Sequence, residues 1–348
     1  MNKEKVRPFV SELRTLHVGS VPHTDPEQAC RLALESADIP CWPQMPRRVF
    51  TENMYAQYGE RFPGVVIDHD DERIWVDRTQ DLDPGLEALY MAYIEQDVSY
   101  GALSREHALG LHTFLEQRAG LEQLPLIKGQ ITGPISWGLT VLDQDRRPTL
   151  YDDILADAIA KHLHLKARWQ ESVLSRFGKQ TIISVDEPYM ASFGSAYVAL
   201  GREQAIALME EVFSAIQGIK MVHCCGNTDW SILMETSVDI LNFDAYEYAV
   251  NLALYPDEVA AFLDRGGVLA WGITPKTADA YDENVDSLVG RLLSAMDLLV
   301  QKGLHLDDIL SASLITPSCG LGPLDVDLAE QVIDLTAGVS RAMRERYV

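Results

Sequence analysis

Basic residues are scarce in this chain. Lys and Arg total 29 against 52 Asp and Glu over 348 residues, a formal net charge of −23. A surface of that sign repels phosphate backbones and anionic lipid, so nucleic acid and membrane are excluded as expected partners. Long apolar runs are also missing. No stretch approaches the roughly 18 to 20 consecutive apolar residues of a membrane span, and the opening MNKEKVRPFVSELR carries charges where a secretory leader needs a continuous apolar core. The expectation is a cytoplasmic protein. The five cysteines are odd in number and unpatterned, which fits a reducing compartment better than a disulfide framework. Low-complexity linkers and internal repeats are absent too, so one elaborated domain over residues 1–348 is expected.

Against this background two short segments stand out. His223-Cys224-Cys225-Gly226 and, ninety-odd residues on, Cys319-Gly320 in TPSCGL offer soft and borderline ligands for one zinc ion. The spacing is wrong for a finger built from two tight knuckles, so the site must be assembled by the tertiary fold. Three protein ligands leave a fourth position open, the mark of a catalytic zinc, and a thiolate-rich shell suits a metal that activates another thiol. If GIKMVHCC is a strand, His223 and Cys225 share one face while Cys224 faces the other and packs. Cys30 and Cys41 read as buried small apolar residues.

Short apolar runs alternate with long amphipathic stretches. Eight strands are expected, ending at Ser20, near Gln44, near Gln130, near Asp186, near Cys225, near Asp244, near Ile273 and near Pro317. Patterns such as YDDILADAIAKHLHLKARWQESVLSRF and SLVGRLLSAMDLLVQKG read as the intervening helices. Eight strands with helical crossovers give a (β/α)8 TIM barrel. The long gap after the second strand, about residues 50–110, is an insertion in which GVVIDHDDERIWVD reads as a β-hairpin. In such a barrel the reactive residues belong at the carboxyl ends of the strands. Ser20, Gln130 with Thr132, Asp186 with Glu187, His223 with Cys225, Asp244 with Glu247, and Cys319 all fall there.

The segments HVGSVPHT, IKGQITGPISW, VDEPYM, VHCCGNTD and TPSCGL, in that order, resemble the catalytic C-terminal barrel of cobalamin-independent methionine synthase and its relatives in the uroporphyrinogen decarboxylase-like superfamily. The resemblance covers roughly residues 10–340. It implies a zinc held by His223, Cys225, Cys319 and an acidic residue, Asp244, with Glu247 as the alternative. It also implies that Gly19, Ser20 and Asp186 hold the amino-acid part of homocysteine, with Gln130 and Glu187 in the same substrate shell and with Asp186 and His223 as catalytic residues. The physics is consistent: a carboxylate at Asp186 pairs with an ammonium, and Ser20 or its backbone amide receives a carboxylate. VDEP also reads simply as a helix entry with acids near the helix N-terminus.

The expected reaction is methyl transfer to the zinc-activated thiol of homocysteine, giving methionine. The chain lacks the N-terminal barrel that helps full-length synthases bind polyglutamyl methyltetrahydrofolate. HCCGNTD is moreover similar to the HxCGNT of methylcobalamin:coenzyme M methyltransferases. The expected donor is therefore methylcobalamin or a methylated corrinoid protein, with methyltetrahydrofolate second. Another small thiol as acceptor, and a non-catalytic zinc-binding subunit of a corrinoid methyltransferase complex, are the alternatives. Uroporphyrinogen decarboxylase activity is not expected, because the arginine-rich signature is missing; Arg47 and Arg48 stand nearest to it. Trp137, with Trp42 and Trp271, offers either a flat wall for a corrinoid or pterin ring, or core packing.

Overall fold

The computed structural model describes residues 9–177, 180–196 and 198–348, so the charged opening segment is described only from Phe9 onward. Two antiparallel strands, β1 (Val65–Asp68) and β2 (Arg73–Val76), form the hairpin expected within the insertion, around an acidic turn. β3 (Leu126–Thr132) is followed by the short β4 (Leu142–Asp143), which pairs in parallel with β2. Then come β5 (Gln180–Asp186), β6 (Ile219–Cys224), β7 (Ile240–Phe243), β8 (Val268–Thr274) and β9 (Ser313–Pro317). The six strands β3-β5-β6-β7-β8-β9 form one parallel, curled sheet in chain order. Parallel strands covered on both faces need apolar residues throughout, and β3 and β8 are buried along their whole lengths.

The first two expected strands differ from expectation. Residues 15–20 and 39–44 run extended, but they meet the sheet and each other through isolated parallel bridges: Thr15 to Ile315, Leu16 to Ile39, Ser20 to Gln44 and Cys41 to Lys128. A continuous ladder cannot form there. Pro40 and Pro43 have no N–H to donate, and Gly19 adopts φ +142°, off the strand conformation. Both segments still feed the interior. One apolar cluster draws Leu16 and Ile39 together with Leu126, Ile182, Met221, Ile240, Val268 and Leu314, a contribution from every strand of the six-stranded sheet.

Helices cover the outer face. The longest crossover, Asp153–Leu174, starts at Asp152, whose side chain accepts from the amides of Ile154 and Leu155. Val285–Val300 opens with a reciprocal cap between Asn284 and Ser287. Among the described residues no helix is long and apolar enough to cross a membrane.

Candidate metal centre

Register decides which side chains meet. Thr132 lies opposite Asp186, Asp186 opposite His223, and His223 opposite Asn242, so these four share one face at the carboxyl ends of β3, β5, β6 and β7. The period of two places Gln130 and Lys128 on that same face below Thr132, and Ser184 below Asp186. Cys224 points the opposite way and is buried, as its parity requires. The chain leaves the sheet after Cys224, and Cys225 turns into the mouth of the site.

Cys319 arrives from the far side. β9 slips register against β8 between Gly272 and Thr274, and the amide of Ser318 bonds the Thr274 carbonyl at 2.9 Å. A β-carbon on Gly272 would stand 2.6 Å from the Phe243 carbonyl oxygen and 2.8 Å from Ser318 Cα, so this close approach requires glycine. Ser20 then fastens the loop beyond Cys319: its carbonyl accepts from Leu321 N at 2.9 Å and its hydroxyl from Gly322 N at 3.3 Å.

The outcome is a cluster of three. Ligand atoms of His223, Cys225 and Cys319 all lie within 4.8 Å of one another. His223 is buried and the two cysteines are partly exposed, the arrangement of a centre open on one side. The ring of His223 has its tautomer set from behind. Asn242 gives its Nδ2 to the Ala270 carbonyl at 2.9 Å and to Thr316 Oγ1 at 2.8 Å, which turns its Oδ1 toward His223 Nδ1, 2.6 Å away. A carbonyl oxygen can only accept, so Nδ1 carries a proton and Nε2 is the nitrogen left for a metal ion. Nε2 is buried and makes no hydrogen bond. An orphaned imidazole nitrogen beside two sulfurs fits a borderline-soft cation such as zinc.

The charges agree with that fit. A hydrogen bond from Cys225, with His223 and Lys276 nearby, holds the Cys319 thiol well below its ordinary pKa. The same hydrogen bond, reinforced by burial, pushes Cys225 up. The two thiols therefore lose their protons at different pH, and a metal ion bound between them would take the place of the proton that remains. Burial works to lower the pKa of His223 but is outweighed by the Cys319 thiolate, which lies close without hydrogen-bond geometry to Nε2, and by Asp186 and Asn242. Lys276 sits in the field of Cys319, Cys225 and Asp244, which raise its pKa against the effect of burial.

The other expected residues fall into two groups. Gly19, Ser20, Gln130 and Asp186 are brought to the site: a β-carbon on Gly19 would stand 2.7 Å from Gln130 Cδ, and one on Gly320 would stand 2.3 Å from Ser20 Oγ. Asp186 Oδ1 accepts from Ser184 Oγ at 2.7 Å; burial raises its pKa while Lys128 and His223 oppose the rise. Glu187, by contrast, is turned inward. It is 0% exposed and accepts from Ile135 N, Ser136 N and Ser136 Oγ at 2.9, 2.7 and 2.6 Å, at the start of the helix Pro134–Thr140. Asp244 caps the helix Ala245–Leu252 by accepting from Glu247 N at 3.0 Å, and burial lifts its pKa to about 6. Neither Asp244 nor Glu247 belongs to the three-residue ligand cluster.

The tryptophans pack in the core. Trp137, Trp42 and Trp271 are each at most 1% exposed, and their indole N–H groups bond Tyr55 O, Gln170 Oε1 and Ser313 Oγ. Arg48 is tied to Glu52 at 2.8 Å, and Arg47 donates to the Pro323 carbonyl at 2.6 Å. Sequence reasoning passed over Lys128, Asn242 and Lys276. The first two carried a readable signal, since Lys128 and Asn242 stand two residues before Gln130 and Asp244 on the same strand face. Lys128 is fully buried, with its Nζ on the Val18 carbonyl at 2.7 Å and near Cys41 Sγ at 3.6 Å. No family model matches the chain, and no curated protein matches it.

Proposed function

We propose that this chain is a zinc-dependent methyltransferase that methylates a small thiol, homocysteine first among the candidates, with methylcobalamin or a methylated corrinoid protein as donor. The observation that carries the reading is the open cluster of His223 Nε2, Cys225 Sγ and Cys319 Sγ within 4.8 Å. A purely structural zinc is normally closed by four protein ligands, whereas three leave a place for substrate. Zinc bound there would lower the pKa of an incoming thiol so that it is held as a thiolate at neutral pH.

The remaining roles belong to the protein's own groups. Asn242 fixes the His223 ring and so its donor atom. Asp186, on the same sheet face, offers a carboxylate to a substrate ammonium. Ser20, through Gly322 and Leu321, holds the Cys319 loop in place. Lys276 places a positive charge beside two sulfurs and so offsets the negative charge that gathers when a third sulfur joins them. The apolar cluster shared by Leu16, Ile39 and the six strands, with the bridges at residues 15–44, supports a closed eight-stave barrel whose first two staves are irregular.

The test is methionine formation from homocysteine by zinc-loaded protein, with methylcobalamin and with methyltetrahydrofolate in parallel and Cys319→Ser as control. Turnover with methylcobalamin that the variant loses supports the reading. Turnover with methyltetrahydrofolate alone corrects the donor. No turnover with homocysteine or other thiols, at one bound zinc, leaves a non-catalytic zinc subunit.

A further inference from the structure

The strands β3, β5 and β6 end level with one another because their ends are stapled. The amide of Gly133 donates to the Asp186 carbonyl and that of Glu187 to the His223 carbonyl, both at 2.8 Å. Position 133 needs glycine here, since a β-carbon would overlap the Glu187 carboxylate. Thr132, Asp186 and His223 are partners across the ladder, so they present their side chains in a row on the inward face, one strand spacing of about 4.8 Å apart. His223 at one end belongs to the metal-ligand cluster, Asp186 in the middle stays partly exposed, and Thr132 at the other end is 0% exposed.

The polar groups around Thr132 are engaged. On the same face of β3, Lys128 Nζ donates to the Val18 carbonyl at 2.7 Å, while Gln130 accepts from Cys41 Sγ at 2.5 Å on Oε1 and donates from Nε2 to the Trp42 carbonyl at 3.2 Å. Ser184 Oγ donates to Asp186 Oδ1 at 2.7 Å, and Thr316 Oγ1 accepts from Asn242 Nδ2 at 2.8 Å. Thr132 breaks the pattern. Its Oγ1 is buried with no hydrogen-bond partner among the described residues, a condition that buried hydroxyls rarely keep and that costs stability. Ser318 Oγ shares that condition, but Ser318 adjoins Cys319, whereas Thr132 stands beside the carboxylate of Asp186.

We infer that Thr132 is a further specificity-determining residue: its hydroxyl accepts a hydrogen bond from the ammonium group that Asp186 pairs with, so that the amino group of the thiol, and not its carboxylate, is what the site reads at this position. The inference rests on the acceptor of the methyl-transfer reading, a thiol bound at the metal centre. Three carbons between sulfur and nitrogen span about 5 Å, which is one strand spacing. A thiol whose sulfur lies at the β6 end of the row therefore brings its nitrogen level with Asp186 and within reach of Thr132. An ammonium carries three N–H groups, and one carboxylate does not satisfy all of them once they leave water. Thr132 supplies the second acceptor. A thiol without the amino group leaves the carboxylate and the hydroxyl unpaired, the situation in which a polar site discriminates strongly.

Calorimetric titration of the zinc-loaded chain tests this with three thiols: homocysteine, 3-aminopropane-1-thiol, which keeps the amino group and lacks the carboxylate, and 4-mercaptobutyrate, which keeps the carboxylate and lacks the amino group. Thr132→Val is expected to weaken binding of the first two by about tenfold or more and to leave the third unchanged, at equal zinc content, while Thr132→Ser restores them. The valine variant is also expected to denature no earlier than the wild type, because a methyl group of the same shape replaces a hydroxyl that has no partner. A loss of stability would show that the hydroxyl is bonded in the free protein, and overturns the inference. So does an equal effect on all three thiols, an effect that follows the carboxylate, an absence of saturable thiol binding, or no effect at all, the last being what a hydroxyl facing only water gives. Failure of the transferase reading looks different. Thiol binding in the expected pattern without methyl transfer keeps Thr132 in its role and removes the transferase. Methyl transfer with the same KM for homocysteine in wild type and Thr132→Val keeps the transferase and removes Thr132 from the site.

Discussion

Asn242 Oδ1 faces His223 Nδ1 across 2.6 Å between adjacent strands, and the Asn242 amide cannot turn around because its Nδ2 is committed to the Ala270 carbonyl. The donor atom of the metal centre is thus set from one strand further along the sheet. Replacing Asn242 by Ala frees the imidazole to rotate and to exchange tautomers. Loss of such a supporting partner costs about 10- to 100-fold in metal affinity. Competition against a chromogenic chelator measures it, and an unchanged zinc affinity would show that the ring is fixed by something else.

Cys225 and Cys319 should behave alike when replaced, and Cys224 differently. Each substitution by Ser is expected to abolish stoichiometric zinc binding, while Cys224→Ser leaves the metal in place, because Cys224 lies on the opposite strand face and is buried. Zinc content after gel filtration separates the three. Retention of zinc by Cys319→Ser would dissolve the proposed centre.

Glu187 supplies a second contrast. Its three donors sit at the first turn of the helix Pro134–Thr140, so Glu187→Gln replaces an acceptor with a donor facing N–H groups. A stability loss of about 1–3 kcal/mol is expected, read as a lower denaturation midpoint, with zinc content unchanged. A variant of wild-type stability that binds the acceptor thiol poorly would return Glu187 to the substrate shell.

Lys166 gives the pH dependence. It is 1% exposed, and burial, opposed by Glu60 and assisted by Arg61, lowers its pKa from 10.5 to about 7. Between these two values the unfolded chain holds a proton that the folded chain has released, so stability rises with pH across that window. Below about pH 7 both states are protonated and the burial penalty is present in full. Denaturation midpoints between pH 6.5 and 9 are expected to rise more steeply for the wild type than for Lys166→Met. Parallel pH profiles would show that the ammonium finds solvent.

Much of this was legible in the chain because parallel strands in a curled sheet write their inward face at every second residue. The parity of IKMVHC separates His223 from Cys224, and the hairpin announces itself in two extended runs around an acidic turn. The same parity marks Lys128 and Asn242, but a lone lysine or asparagine in an apolar run carries no chemistry until its neighbours are known. Irregularity at residues 15–44 could have been read from Pro40, Pro43 and Gly19, each of which breaks a ladder. Lys276 and the fate of Glu187 depend on loops whose paths only tertiary packing sets, and so does the burial of Trp137.

Gly320 and Ser20 offer the sharpest test of how the Cys319 loop is seated. A β-carbon at Gly320 would stand 2.3 Å from Ser20 Oγ, well inside contact distance, and Ser20 is also what holds Leu321 and Gly322 by hydrogen bonds to its carbonyl and hydroxyl. Gly320→Ala therefore has to push the hydroxyl or the loop aside, and Cys319, one residue before, moves with the loop. Zinc affinity is expected to fall. Combining it with Ser20→Ala removes the clashing oxygen while keeping the carbonyl bond to Leu321, so the double variant should bind zinc more tightly than Gly320→Ala alone. Such non-additivity is the signature of two residues in direct contact. Additive losses in the double-mutant cycle would mean that the loop is held from elsewhere and that Ser20 does not seat Cys319.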